Sequence, residues 1–131
     1  MTFYINGILT PVVVDDWIPV NLRNKPVFAN TKDEELWVML LEKGWAKLHG
    51  SYVRCEGGLP SFATVHLLGT PAESFYNLDM QQKKDKFWSD LKRFDQREYL
   101  MMAASKGEGE EKTQAGIISG HAYSLISIHE F

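Results

Sequence analysis

Cysteine is almost missing from this sequence. Cys55 is the only one in 131 residues, which excludes an internal disulfide framework. The chain has four histidines, but no two Cys or His residues stand at C-x-x-C or H-x-x-x-H spacing, so a structural zinc site is not indicated. No apolar run approaches the ~20 residues that cross a bilayer. The opening "MTFYINGIL" lacks the charged, apolar and small-residue regions of a secretion signal. Neither sign of charge dominates: 14 basic against 17 acidic residues give a net charge of −3. That leaves no electrostatic footprint for nucleic acid and no polybasic surface for acidic lipid. Internal repeats and the spaced acidic pattern of an EF-hand loop are also lacking. An intracellular, reducing compartment is the expectation.

Hydrophobic residues make up 44% of the chain and aromatics 12%, enough for a packed core. "FYINGILTPVVVDDWIPV" reads as strands. Asn6-Gly7 is a two-residue hairpin signal because both residues tolerate positive φ. Pro11 belongs at an edge or bend, and Asp15-Asp16 marks a turn. Residues 33–49 read as a helix, with Thr31 and Glu34 in capping-box spacing. Leu36, Leu40, Leu41 and Leu48 form its apolar stripe, and Gly50 is its stop. Gly44 inside it costs roughly 1 kcal/mol against alanine, so something is expected to pack close there. Gly57-Gly58 suits a turn or a hinge. The stretch 59–80 gives no clear pattern. Residues 81–95 form a second helix with Phe87, Leu91 and Phe94 on one face. "EYLMMAAS" reads as a buried strand, 106–116 as a polar loop, and the final segment as a strand carrying His121. The order suits an α+β domain with an antiparallel sheet.

The candidate chemistry is sparse. Cys55 and His121 are the one possible thiolate–imidazole pair. Yet Cys55 follows a helix end beside two glycines, with only Arg54 as a cationic neighbour, and reads as a buried or linker cysteine. The adjacent carboxylates Asp15-Asp16, Glu34-Glu35 and Glu110-Glu111 cannot face each other on a strand or helix and read as solvated turns and helix starts. Trp37, Trp45, Phe87 and Trp88 read as core or interface residues. His49 ends a helix, where a cation is favoured. His66 and His129 have no evident partner. His121 reads either as a structural histidine or as one facing a substrate or a partner thiol: Gly120 and Ala122 leave space around a ring that needs a hydrogen-bond partner.

Three segments, in order, carry a resemblance. "VVVDDWIPV" (12–20), "ELWVMLLEKGWAKLHGSY" (35–52) and "GHAYSLISI" (120–128) resemble the strand-and-turn, helix and histidine strand of the calpain cysteine-protease core. "LMMAASKGEGEE" resembles calpain-like proteins of protists. The resemblance implies a partial papain-like α+β core. Residues 1–56 would close the first lobe. Residues 57–131 would open the second, the lobes meeting at Gly57-Gly58. It implies that His121 is the catalytic histidine of a Cys-His-Asn site and that Glu35 is a calcium-binding carboxylate.

The sequence also departs from that family. The Gly-Asp-Cys-Trp nucleophile segment and the Asn-Pro-Trp-Gly segment are not among these residues, Cys55 does not match the nucleophile, and the family's Asp-Phe-Thr-Gly-Gly is here "HLLGT" (66–70). The expectation is therefore part of a calcium-dependent cysteine endopeptidase, inactive as this chain alone. The alternative is a catalytically inactive calpain-like module with a structural or binding role in a cytoskeletal or ciliary assembly. Expected partners are protein substrates or neighbouring protein chains, in the cytoplasm. With part of each lobe's core elsewhere, the isolated chain is expected to be marginally stable.

Overall fold

The computed structural model describes residues 1–33, 35–76, 80–107, 109 and 111–130, the side chains of 80–83 excepted. The chain forms two compact units, Met1–Glu73 and Ser74–Phe131, each α+β with a two-stranded antiparallel sheet. The expected lobe boundary at 56/57 lies ahead of this division. Residues 57–73 pack with the first unit, because the helix they contain rests on its first strand.

In the first unit, β1 (Thr2–Ile5) and β2 (Ile8–Pro11) pair in the register Ile5↔Ile8 to Thr2↔Pro11. Asn6 and Gly7 turn the chain at φ 50° and 78°, the two positive values a tight hairpin requires. Val12 N–H donates to Met1 O at 2.8 Å, and there the ladder stops. The expected strand over Val12-Val13-Val14 does not extend past Val12, and Val13 O instead accepts Lys47 Nζ.

Helix α1 spans Trp37–His49, shorter at its start than the expected 33–49. Leu36 occupies the N-cap without a side-chain cap, and Thr31 Oγ1 donates to Glu35 O at 3.1 Å. The Glu34 half of the expected capping box lies outside the described residues. Gly50 ends α1 at φ 98°, as expected. The buried face is Met39, Gly44 and Ala46, not the leucine stripe, and Leu36 is exposed. The reason is close packing on the hairpin. A Cβ on Gly44 would overlap Met1 Sδ and lie 3.1 Å from Phe3 Cε2, so the small face of α1 seats the fully buried Phe3.

Charged residues of α1 hold the irregular segment between β2 and α1. Lys43 Nζ donates to Asp15 Oδ1 and to Trp17 O, and Lys47 Nζ donates to Val13 O at 2.6 Å. Ala29 N–H donates to Glu42 Oε2 at 2.8 Å. Asp15 Oδ1 also accepts Trp17 N–H at 2.9 Å, confirming the Asp15-Asp16 turn. The stretch left open by the sequence contains α2, Pro60–Leu68, with proline in its first turn, where the missing N–H has no partner to lose. Its C-cap Gly69 sits on Tyr4 of β1, whose ring would lie 2.7 Å from a Cβ there.

In the second unit, α3 (Met80–Gln96) matches the expected second helix. Phe75 packs on its apolar face, 5.7 Å from Phe87 and 6.4 Å from Phe94 between ring centroids. β3 (Met101–Ala104) and β4 (Ala122–Leu125) pair in the register Met101↔Leu125 to Ala104↔Ala122. The polar loop before β4 holds more order than expected. Lys112 bridges Ile118, and Thr113 N–H donates to Ile117 O at 2.8 Å. After β4 the chain is clipped to α3: Lys92 Nζ and Trp88 Nε1 donate to Glu130 at 2.9 and 3.1 Å, and Ile128 N–H donates to Asp95 Oδ2 at 3.2 Å. No helix among the described residues is long and apolar enough to cross a membrane.

Candidate functional site

His121 stands one residue before β4, where the chain leaves a turn over Ser119-Gly120. Gly120 makes that turn possible in two ways. Its φ is 61°, a conformation costly for other residues. A Cβ on it would also lie 3.0 Å from Gly107 O and 3.3 Å from Gly109 O. Ser105, just past β3, holds the other side. Ser105 N–H donates to His121 O at 3.0 Å, and its hydroxyl accepts the His121 N–H at 3.1 Å. The same hydroxyl donates to Ile118 O. Tyr123 completes the frame: its hydroxyl accepts the Ile118 N–H at 2.8 Å, and its ring meets the His121 imidazole edge-on, 5.1 Å away at 73°. The imidazole is half-buried, on a backbone pinned at both its N–H and its C=O.

Glu35 lies just ahead of α1 and is exposed, with one carboxylate oxygen accepting the Trp37 indole N–H at 2.8 Å. Trp37 is 60% exposed, so it is not a core residue of its unit. A calcium ion takes about six to eight oxygens, and no cluster of three or more acidic, His or Cys side chains among the described residues is arranged to hold a metal. Glu35 does not make a calcium site by itself.

Cys55 ends a 3₁₀ turn, Val53–Cys55, in the first unit. Its thiol donates to Ser51 O at 3.4 Å. Burial, and then the nearby Glu42 carboxylate, push the thiol pKa up, the opposite of what a nucleophilic thiolate needs. It shares an open cleft of about 330 Å³ with Phe28, Glu42, Tyr52, Val53 and Glu56. Phe28 and Tyr52 stack there at 4.1 Å and 4°.

Two histidines without an evident partner in the sequence find neighbours. His66 of α2 lies 5.4 Å from Trp45 and 6.0 Å from His49 between centroids, and Trp45 lies 4.4 Å from His49. His49 Nε2 and His66 Nδ1 are buried without a hydrogen bond. The i, i+4 spacing of Trp45 and His49 could have signalled their contact; nothing in the sequence pointed to His66. His129 Nε2 meets Ser127 Oγ at 2.8 Å. Ser105 and Tyr123 are the residues around His121 that sequence reading missed.

The whole chain, residues 1–131, matches the calpain family of cysteine proteases, and the protein belongs to that family. It is 42% identical over 134 residues to "Calpain-type cysteine protease DEK1" of Arabidopsis thaliana, covering 98% of this chain and 6% of that protein. The Zea mays protein of the same name is 43% identical over the same shares. Human "Calpain-12" is 37% identical over 121 residues, covering 91% of this chain and 16% of its own length. The chain thus spans a small part of these relatives. Its helices and two small antiparallel sheets make a partial α+β calpain core.

Proposed function

We propose that this chain is the histidine-bearing part of a calpain-like, calcium-dependent cysteine endopeptidase, with His121 as the imidazole of a Cys-His-Asn site. The observation that supports it most is the frame around His121: a half-buried ring at a strand mouth, flanked by Gly120 and Ala122 and anchored through its backbone. A general base must be held in place before its pKa matters. In this reading His121 takes the proton of a cysteine thiol, the thiolate attacks the scissile carbonyl, and the imidazolium returns the proton to the leaving amine. The thiol and the asparagine that orients the ring come from segments outside these residues. Residues 1–56 close the first protease lobe and 57–131 open the second. Limited proteolysis tests that boundary, with first cleavage at Gly57-Gly58 supporting it and first cleavage near Glu73 opposing it. Calcium dependence belongs to the same proposal, with Glu35 as one ligand among others, and no chemical step is assigned to the ion.

The test uses the full-length protein, a broad peptide substrate and a thiol-directed active-site probe, with and without calcium. Calcium-dependent turnover that His121→Ala lowers by ~10³-fold or more supports the reading. Turnover unaffected by that substitution refutes it. The Cys55→Ala variant separates the two thiols: activity lost there would make Cys55 the nucleophile against the burial that raises its pKa.

A second reading is a catalytically inactive calpain-like module that binds neighbouring protein chains in a cytoplasmic cytoskeletal or ciliary assembly. The departure at 66–70, where "HLLGT" stands in place of the family's Asp-Phe-Thr-Gly-Gly, favours it. Absence of both labelling and turnover, with localisation of the tagged protein to such an assembly, would select it.

A further inference from the structure

We infer that Ser105 is a positioning residue for His121, which rests on the catalytic assignment of that histidine. The hydroxyl does two jobs at once. It accepts the His121 N–H at 3.1 Å and donates to Ile118 O, while the Ser105 backbone N–H donates to His121 O at 3.0 Å. Ala104↔Ala122 is the last strand pair, so the bond from Ser105 N–H to His121 O carries the ladder one residue further. The hydroxyl then closes it across the turn by accepting the His121 N–H. Both partners of the hydroxyl are half-buried, where an unmatched N–H or C=O is expensive. His121 is thereby fixed on both sides of its Cα, and the imidazole starts from a set position. Gly107 and Gly120 press the turn from behind: a Cβ on Gly107 would lie 2.8 Å from Ser119 Cβ. Ser119, inside the turn, donates its N–H to Glu111 O at 2.8 Å.

The placement of general base relative to nucleophile is steep in rate, an error of about 1 Å costing on the order of 100-fold. Loss of the Ser105 hydroxyl frees the His121 amide while leaving β3 and β4 paired. The rate loss belongs in kcat, since substrate binding does not use this hydroxyl.

The test compares Ser105→Ala and Ser105→Thr in the full-length protein. Steady-state kinetics and hydrogen–deuterium exchange of the peptide covering 118–125 are both read. Ser105→Ala is expected to lower kcat by roughly 10- to 100-fold with KM within about twofold, and to speed exchange in that peptide. Ser105→Thr, which keeps a hydroxyl, is expected to restore both. Unchanged exchange and kcat in Ser105→Ala would overturn the inference. So would a loss of activity that tracks the loss of folded protein and is not rescued by threonine. If wild-type protein cleaves nothing, the protease reading fails on that arm, and the exchange arm still decides whether Ser105 holds His121.

Discussion

Replacing Gly44 by alanine sets two effects of known sign against each other. In an exposed helix interior, alanine in place of glycine stabilises by roughly 1 kcal/mol. Position 44 is not exposed. Its Cβ would overlap Met1 Sδ and lie 3.1 Å from Phe3 Cε2. Met1 Sδ is near the end of a flexible side chain and can swing away. Phe3 cannot, because it is fully buried, with its ring 6.1 Å from that of Trp45. Crowding a packed core costs typically about 1–3 kcal/mol. The expected result is a net loss of roughly 0–2 kcal/mol where propensity alone predicts a gain. A double-mutant cycle isolates the contact. In a Phe3→Leu background the ring edge is gone, and Gly44→Ala should turn neutral or stabilising, a coupling of roughly 0.5–3 kcal/mol. Urea unfolding read by tryptophan fluorescence measures all four corners. A stabilisation of about 1 kcal/mol by Gly44→Ala in the wild-type background, with no coupling to Phe3, would show that the hairpin does not press on α1.

Asp15 gives the pH prediction. The hydrogen bond from Lys43, and then that from Trp17 N–H, hold its carboxyl below the ordinary value of 3.8. A lowered folded pKa contributes stability above the unfolded value, and that contribution disappears as pH falls through the folded one. Asp15→Asn should therefore lower Tm above the ordinary carboxyl value, and the two proteins should converge as pH falls through the lowered folded one; parallel curves at every pH would refute the ion pair. Asp15 is 63% exposed, so the effect is small. At the histidine turn, Gly120→Ala strains a φ of 61° and pushes a methyl toward Gly107 O. It should destabilise by about 1–2 kcal/mol and speed exchange over 118–121; a more stable variant would mean the turn is not as described. The isolated 131-residue chain should be marginal, because its buried hydrophobic side chains among the described residues are only Phe3, Val12, Met39 and Ala46, all in the first unit. A single cooperative thermal transition in a soluble monomer would refute that.

What was legible in the sequence is what local chemistry decides. Asn6-Gly7 called for a hairpin because only such residues accept two successive positive φ values, and the hairpin is there. Gly44 signalled a close neighbour because a mid-helix glycine needs a reason, and Met1 and Phe3 supply it. Gly50 and the α3 pattern did the same for helix ends and faces. What was not legible depends on partners distant in sequence. The three valines at 12–14 have strand propensity, yet past Val12 the chain leaves the hairpin and Val13 O is held by Lys47 of α1. The leucines of α1 outrank Met39 and Ala46 in hydrophobicity, yet the hairpin selects the helix face with the least bulk. α2 has apolar residues all round, so periodicity could not reveal it. Lys43, Lys47 and Glu42 look like a solvated helix surface, but they hold the 13–29 segment through its backbone. A lysine that reaches a carbonyl about 30 residues away leaves no local signature.

The same division explains why His121 could be picked out and Ser105 could not. The histidine is marked by its own neighbours: Gly120 clears the turn and Ala122 clears the strand. Ser105 reads as an ordinary residue at the end of a strand, and its role exists only because β3 and β4 pair in one register. Slipping that register by a single residue would move every side chain of β4 to the other face and carry the His121 amide away from the hydroxyl. Register and site geometry are therefore one constraint. The backbone bonds that hold His121 come from residue 105, so the imidazole's starting point is set inside the second unit. In the proposed protease reading, a nucleophile supplied by another segment would meet a base already held in place, and would have to bring only its own placement. That is why substitutions at Ser105 and Gly120 should alter kcat and local exchange together, whereas Cys55→Ala in the first unit should alter neither.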